Sequence, residues 1–196
     1  MKNFKWSNEP FDSKPVNIVL FASRNKDNKT IADFKERRES FITHKPVTEL
    51  YSEFKSFVNK GVYGEMSRMY YSVNTRDPKK IYHQFILFLF ENPNFNLCSL
   101  MSKLASISAK KECAAEKKWM FDFDINDDTE LDNFIDDIKS VENINPSDIH
   151  PYKSPNGWNI VVDHGFDSRQ LMEKYKDKEI SLNRDGMICA KWERKI

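Results

Sequence analysis

Net charge is nearly absent from this chain: 31 Lys and Arg stand against 30 Asp and Glu, leaving +1 over 196 residues. That balance excludes a global attraction to polyanions, so any nucleic-acid site has to be a local basic patch. Cysteine is sparse as well. Cys98, Cys113 and Cys189 are odd in number and lack C-x-x-C spacing, which argues against a disulfide frame or a zinc site and for three buried, reduced thiols. No apolar run approaches the roughly 20 residues of a membrane span, and the opening MKNFKWSNEP has no apolar signal core. A cytoplasmic protein without membrane contact is expected. Internal repeats and low-complexity linkers are missing too.

Aromatic residues are plentiful. Fifteen Phe, 7 Tyr and 4 Trp within 39% hydrophobic residues give a chain that can bury a core despite its 31% charged residues. VNIVLFA, residues 16 to 22, reads as a first buried strand closed by the polar turn SRNKDNKT. From Thr30 to Lys60 apolar residues recur at helical spacing, with a break near Lys45-Pro46, so two helices are expected, and the charged stretch DFKERRES between them reads as a solvated helix face, a phosphate contact being the other reading. SRMYYSVN, residues 67 to 74, reads as a strand. Asp77 and Pro78 then open a helix over IYHQFILFLF, which is apolar nearly all round and is therefore expected to be buried, His83 included. A second helical stretch covers residues 97 to 116. After residue 128, Thr129 is expected to cap a helix whose Leu131, Phe134, Ile135 and Ile138 face inward. IHPYKS and WNIVVD flank Pro155-Asn156-Gly157 as a hairpin, in which Asn-Gly supplies positive φ. A short helix over 166 to 175 and two strand fragments around Arg184-Asp185-Gly186 complete the order. The fold class is α/β (α+β), a mixed β-sheet with flanking helices.

KKWMFDFDINDD, residues 117 to 128, is the stretch that asks for a chemical explanation. In a strand, Asp122 and Asp124 share one face while Phe121, Phe123 and Ile125 occupy the other. Carboxylates on a face otherwise made of core residues lose hydration, which costs several kcal/mol without a partner. A hard divalent cation, Mg²⁺ or Mn²⁺, is one remedy and suits phosphoryl or nucleotidyl transfer. A strand end with both aspartates in water is the other reading. Arg68 and Arg76 bracket the strand at 67 to 74 and, with Lys79 and Lys80, make the densest basic cluster near a strand end, either a nucleic-acid contact or ordinary surface charge.

Three spaced pieces, WMFDFD at 119 to 124, KSPNGWNIVV at 153 to 162 and LNRDGMICA at 182 to 190, together resemble the archaeo-eukaryotic primase (primase-polymerase) superfamily, in particular its small phage and plasmid members. The resemblance covers roughly residues 66 to 196. It implies an RRM-like catalytic core there, with residues 1 to 65 an N-terminal strand and helical segment of the same lobe. It further implies that Asp122, Asp124 and Asp185 hold catalytic metals, Mg²⁺ or Mn²⁺. Lys153, Ser154, Asn156, Gly157, Asn159 and Arg184 would approach a nucleoside triphosphate. Asn159 departs from the family pattern, which places a histidine there. The function implied is template-directed nucleotidyl transfer on DNA or RNA in phage or plasmid replication, with a separate helicase supplying any unwinding, in the host cytoplasm if the protein is phage-encoded. Two other classes stay open: a catalytically weakened protein of the same fold that binds nucleotides or nucleic acid, marked by Asn159, and a nuclease using the same aspartates.

Overall fold

The computed structural model describes residues 14–141 and 144–196; the reading of the first 13 residues as lacking a signal core lies outside them. Among the described residues, eight strands form two antiparallel four-stranded sheets, and five α-helices cover them. In the first sheet, β1 (Asn17–Ser23) pairs with β2 (Arg37–Thr43) and with β3 (Met66–Ser72), and β3 pairs with the last strand, β8 (Met187–Arg194), giving the order β2-β1-β3-β8. Strand alternation sends Val19, Phe21 and Met69 to one face. There α1 (Tyr51–Asn59) lays Phe54, Phe57 and Val58, spaced three and four apart, onto them.

The second sheet has the order β5-β6-β4-β7, built from β4 (Trp119–Phe123), β5 (Ile149–Lys153), β6 (Trp158–Val162) and β7 (Ile180–Asn183). Helix α4 (Asp128–Lys139) joins β4 to β5, and α5 (Arg169–Lys174) joins β6 to β7. Two β-α-β units are thus interleaved, the ferredoxin-like order. Both helices lie on one face, where Phe121, Phe123, Ile160 and Val162 pack on Leu131, Phe134, Ile138 and Leu171. Met120, Asp122, Asn159 and Val161 occupy the alternate positions and form the open face. Residue 65 is no divide, because β3 and β8 complete the sheet that β1 and β2 begin.

Several sequence expectations change. Residues 37–43 form a strand, not a helix: RRESFIT pairs with β1 along its whole length, and its charges sit on a sheet edge, where they discourage further pairing. Helix α2 (Pro78–Glu91) begins as expected, with the Asp77 side chain accepting from the backbone N–H of Lys79 and Lys80, but only Pro78 and Ile81 are buried. Phe90 is 88% exposed, and Tyr82, Ile86, Leu87 and His83 are exposed too. One side of the helix meets α3 (Leu100–Ser108) and the first sheet through Ile81, and Phe88 packs edge-on against Phe95 in the following loop, while much of the remaining apolar surface stays exposed. Cys98, in the turn before α3, is exposed, whereas Cys113 and Cys189 are buried thiols. The stretch 97 to 116 is helical only in α3, flanked by short 3-10 turns. Asp127, not Thr129, caps α4. Gly157 has no positive φ; a glycine is needed there because a Cβ would lie 2.1 Å from the Phe123 carbonyl oxygen. No helix among the described residues is long and apolar enough to cross a membrane.

Candidate functional site

Strand β8 is an edge of the first sheet, and its Cys189 N–H donates to Asn159 Oδ1 on the open face of the second, at 2.9 Å. The two sheets therefore meet along β8, and a cavity of about 100 Å³ opens beside that contact. Asp122 and Asp124 both line it, as the two-residue spacing requires. Asn159, 4% exposed, donates its other amide end to Asp122 Oδ1 at 2.9 Å. Burial raises the pKa of Asp122 above its ordinary value, and the neighbouring charge of Asp124 raises it further, against the Asn159 hydrogen bond and the charges of Lys26 and Arg24. Asp124 is exposed and, among the described residues, makes no side-chain hydrogen bond or ion pair. Nearby, burial pushes the Cys189 thiol up to about 11, so it stays protonated and is no nucleophile at neutral pH.

Across the cavity stand three cations from the first sheet and its turn: Arg24, Lys26 and Arg68. Arg24 Nε donates to Asp27 Oδ2 at 2.9 Å, Arg68 donates to Asp27 Oδ1, and Arg24 also lies over the Tyr70 ring. Arg68 is 8% exposed, and its Nε is buried without a hydrogen-bond partner. Counting Asp27, three cations face three carboxylates and the site is neutral. A divalent cation bound to the acid pair would make it dipositive, the sign a polyphosphate needs. The two carboxylates fit Mg²⁺ or Mn²⁺, which take one or two protein carboxylates and complete their shell with water and phosphate oxygens. A groove of about 390 Å³, reaching Leu20, Ala22, Arg38 and Asn183, adjoins the cavity and shares Arg24, Tyr70, Met120, Asp122 and Met187 with it.

The other residues singled out in the sequence scatter. Ser154 and Asn156 line the small cavity, but the Ser154 hydroxyl accepts from the Gly157 N–H at 3.1 Å and so closes the hairpin turn. Lys153 turns away, donating to Asn126 Oδ1 at 2.7 Å above the Trp158 ring. Asp185 is not part of the acid pair's cavity. Arg76 grips both its oxygens, at 2.7 and 2.8 Å, and Asn74 donates to it as well. It lies with Arg184 in a separate pocket of about 260 Å³, where Arg184 stacks on Trp119. Among the described residues no group of three His, Cys, Asp or Glu side chains is placed to hold a metal ion. The three-acid arrangement expected from the sequence is therefore a two-acid arrangement. The basic cluster also dissolves: Arg68 belongs to the cleft, Arg76 is buried against Asp185, and Lys79 and Lys80 stay exposed on α2.

No family model, curated protein or solved structure matches the chain significantly. Its site therefore has to be read from its own geometry. Arg24, Lys26 and Asp27 were overlooked in the sequence because SRNKDNKT looks like punctuation. Only the pairing of β1 with β3, and of β3 with β8, carries that turn to the aspartates.

Proposed function

We propose that the cleft binds a nucleoside triphosphate with Mg²⁺ or Mn²⁺ and serves nucleotidyl transfer to a nucleic-acid strand, the reading that the primase-polymerase resemblance also favours. The observation that carries it is the acid pair on one wall of the cavity, one member with a raised pKa, facing Arg24, Lys26 and Arg68 on the other. Asp122 and Asp124 would hold the metal, which when bound supplies charge neutralisation and activation of an attacking hydroxyl. Asn159 fixes the orientation of Asp122, leaving its second oxygen for a ligand. Lys26, exposed and without an ion pair among the described residues, is free to meet the outer phosphates, while Arg68 offers its unused Nε from the wall. The small cavity suits an ion and phosphate oxygens; the adjoining groove is in the size range that takes a nucleoside.

The experiment is Mn²⁺ calorimetry on the wild type and Asp124→Asn, with primer extension on both. Mn²⁺ binding and incorporation in the wild type, both lost in the variant, support the proposal; metal binding unaffected by the substitution overturns it. A second reading, a nucleotide-binding protein without catalysis, is favoured by one observation: Asp185 is gripped by Arg76, leaving two acids where the resemblance implied three. Metal-dependent nucleotide binding without incorporation would establish that one.

A further inference from the structure

Neighbouring residues of the first sheet line different cavities. Tyr70, Met187 and Cys189 face the acid cleft, whereas Tyr71, Ser72 and Ile188 face a second cavity of about 540 Å³. The first sheet is thus a partition standing on the open face of the second, and this cavity lies behind it. Its other wall is the β5 and β6 part of that open face, through His150, Tyr152, Val161 and Asp163.

We propose that this cavity binds a nucleobase, either of a free nucleoside or of one nucleotide in a single strand. Three observations converge. The volume is in the range that encloses a small organic ligand. Tyr71 and Tyr152 enter from opposite sheets, with Val161 and Ile188 between them, and offer apolar and aromatic surface to a flat ring. Tyr152 is 43% exposed, so its ring is available. The polar groups carry both signs and sit together at one end. His150 Nε2 is 3.1 Å from Asp163 Oδ2, and Lys118 Nζ is 3.5 Å from Asp163 Oδ1, an atom that is buried and receives no hydrogen bond. Glu116 stands beside Lys118 at 3.8 Å. Two carboxylates against one lysine make a poor phosphate site but a good reader of a ring edge that carries both donors and acceptors, as bases do.

The test uses the full chain without metal. Adenosine and cytidine are titrated by calorimetry, and fluorescein-labelled eight-nucleotide single strands of DNA and RNA by anisotropy, against wild type, Tyr152→Ala, Tyr152→Phe and Asp122→Asn. Loss of one stacked base weakens binding by roughly 1 to 3 kcal/mol, about fivefold to 150-fold. The expected result is binding that falls about tenfold or more in Tyr152→Ala and is kept in Tyr152→Phe; binding that falls in Asp122→Asn but not in Tyr152→Ala would place the ligand in the acid cleft and overturn the proposal. Binding of nucleosides identifies a free ligand as sufficient; binding of strands alone identifies nucleic acid as the source. Absence of binding by every probe, or affinities equal in wild type and Tyr152→Ala, overturns the proposal.

Discussion

Asp122 and Asn159 are best considered as a pair. The folded protein holds the Asp122 carboxyl at a raised pKa, so it binds its proton more tightly than the unfolded chain does. Ionisation of that group opposes folding: the stability tied to the neutral form is present below the unfolded value, near 3.8, and is lost as pH rises through the folded one. Asp122→Asn, which still accepts from Asn159, should therefore unfold at a higher temperature than wild type at pH 7 without metal. The difference should shrink towards pH 4 and vanish below it, as thermal melts across that range will show. The resemblance places Asn159 against a nucleoside triphosphate where the family pattern has a histidine. Its burial reverses the expectation. Asn159→Leu leaves the Cys189 N–H buried and unpaired and Asp122 without its donor, a loss of about 1 to 3 kcal/mol, to be measured by urea unfolding. Asn159→His, unable to reproduce both bonds in the same space, should also destabilise.

At the scale of elements, hydrophobic period located most of the structure. Strands β1, β3, β4, β6 and β8, helix α4 and the hairpin all lie where alternation, helical spacing and turn residues put them. The failures have physical causes. RRESFIT has the charge of a helix face, yet it became β2 because β1 offers a full-length edge with which it can pair. Helix α2 is apolar nearly all round, but period cannot tell how many sides of a helix find a neighbour. Gly157 was assigned the right position for the wrong reason. Its role is close approach to β4, so Gly157→Ala should push the hairpin off the Phe123 carbonyl and cost about 1 to 3 kcal/mol by overpacking. A chemical-denaturation curve for that variant decides: a stability within about 0.5 kcal/mol of wild type, the usual range for a benign surface change, would mean that the hairpin yields without cost.

The whole molecule depends on how its sheets are joined. Arg76, whose side chain is 3% exposed, leaves the end of β3 in the first sheet and grips Asp185, in the turn by which the chain leaves β7 in the second sheet to enter β8 in the first. Removing one partner of such a pair leaves a buried charge, so Arg76→Met is expected to cost about 3 to 5 kcal/mol. Replacing both, as in Arg76→Met with Asp185→Leu, should restore much of that, because two apolar side chains need no partner. A double-mutant cycle by urea unfolding checks this. If the double variant is as unstable as the single one, the pair is not what holds the turn. None of this was legible in the sequence, where Asp185 looked like a metal ligand and Arg76 like a nucleic-acid contact or an ordinary surface cation. Residues 109 apart had first to be brought together by the fold.

The pairing of β3 with β8 also governs when the protein can finish folding. Met66 partners Arg194 and Ser72 partners Met187, so some 115 to 128 residues separate the two strands along the chain. At about 5 to 20 residues per second of synthesis, the β3 edge waits roughly 6 to 25 s for its partner to be made. During that interval the interleaved sheet around β4 can assemble, but Asn159 has no Cys189 N–H to accept and the wall facing the aspartates is incomplete. The cleft therefore comes into being only once β8 has been made, and a nascent chain stalled before residue 187 would carry the acid pair without its opposing arginines in place.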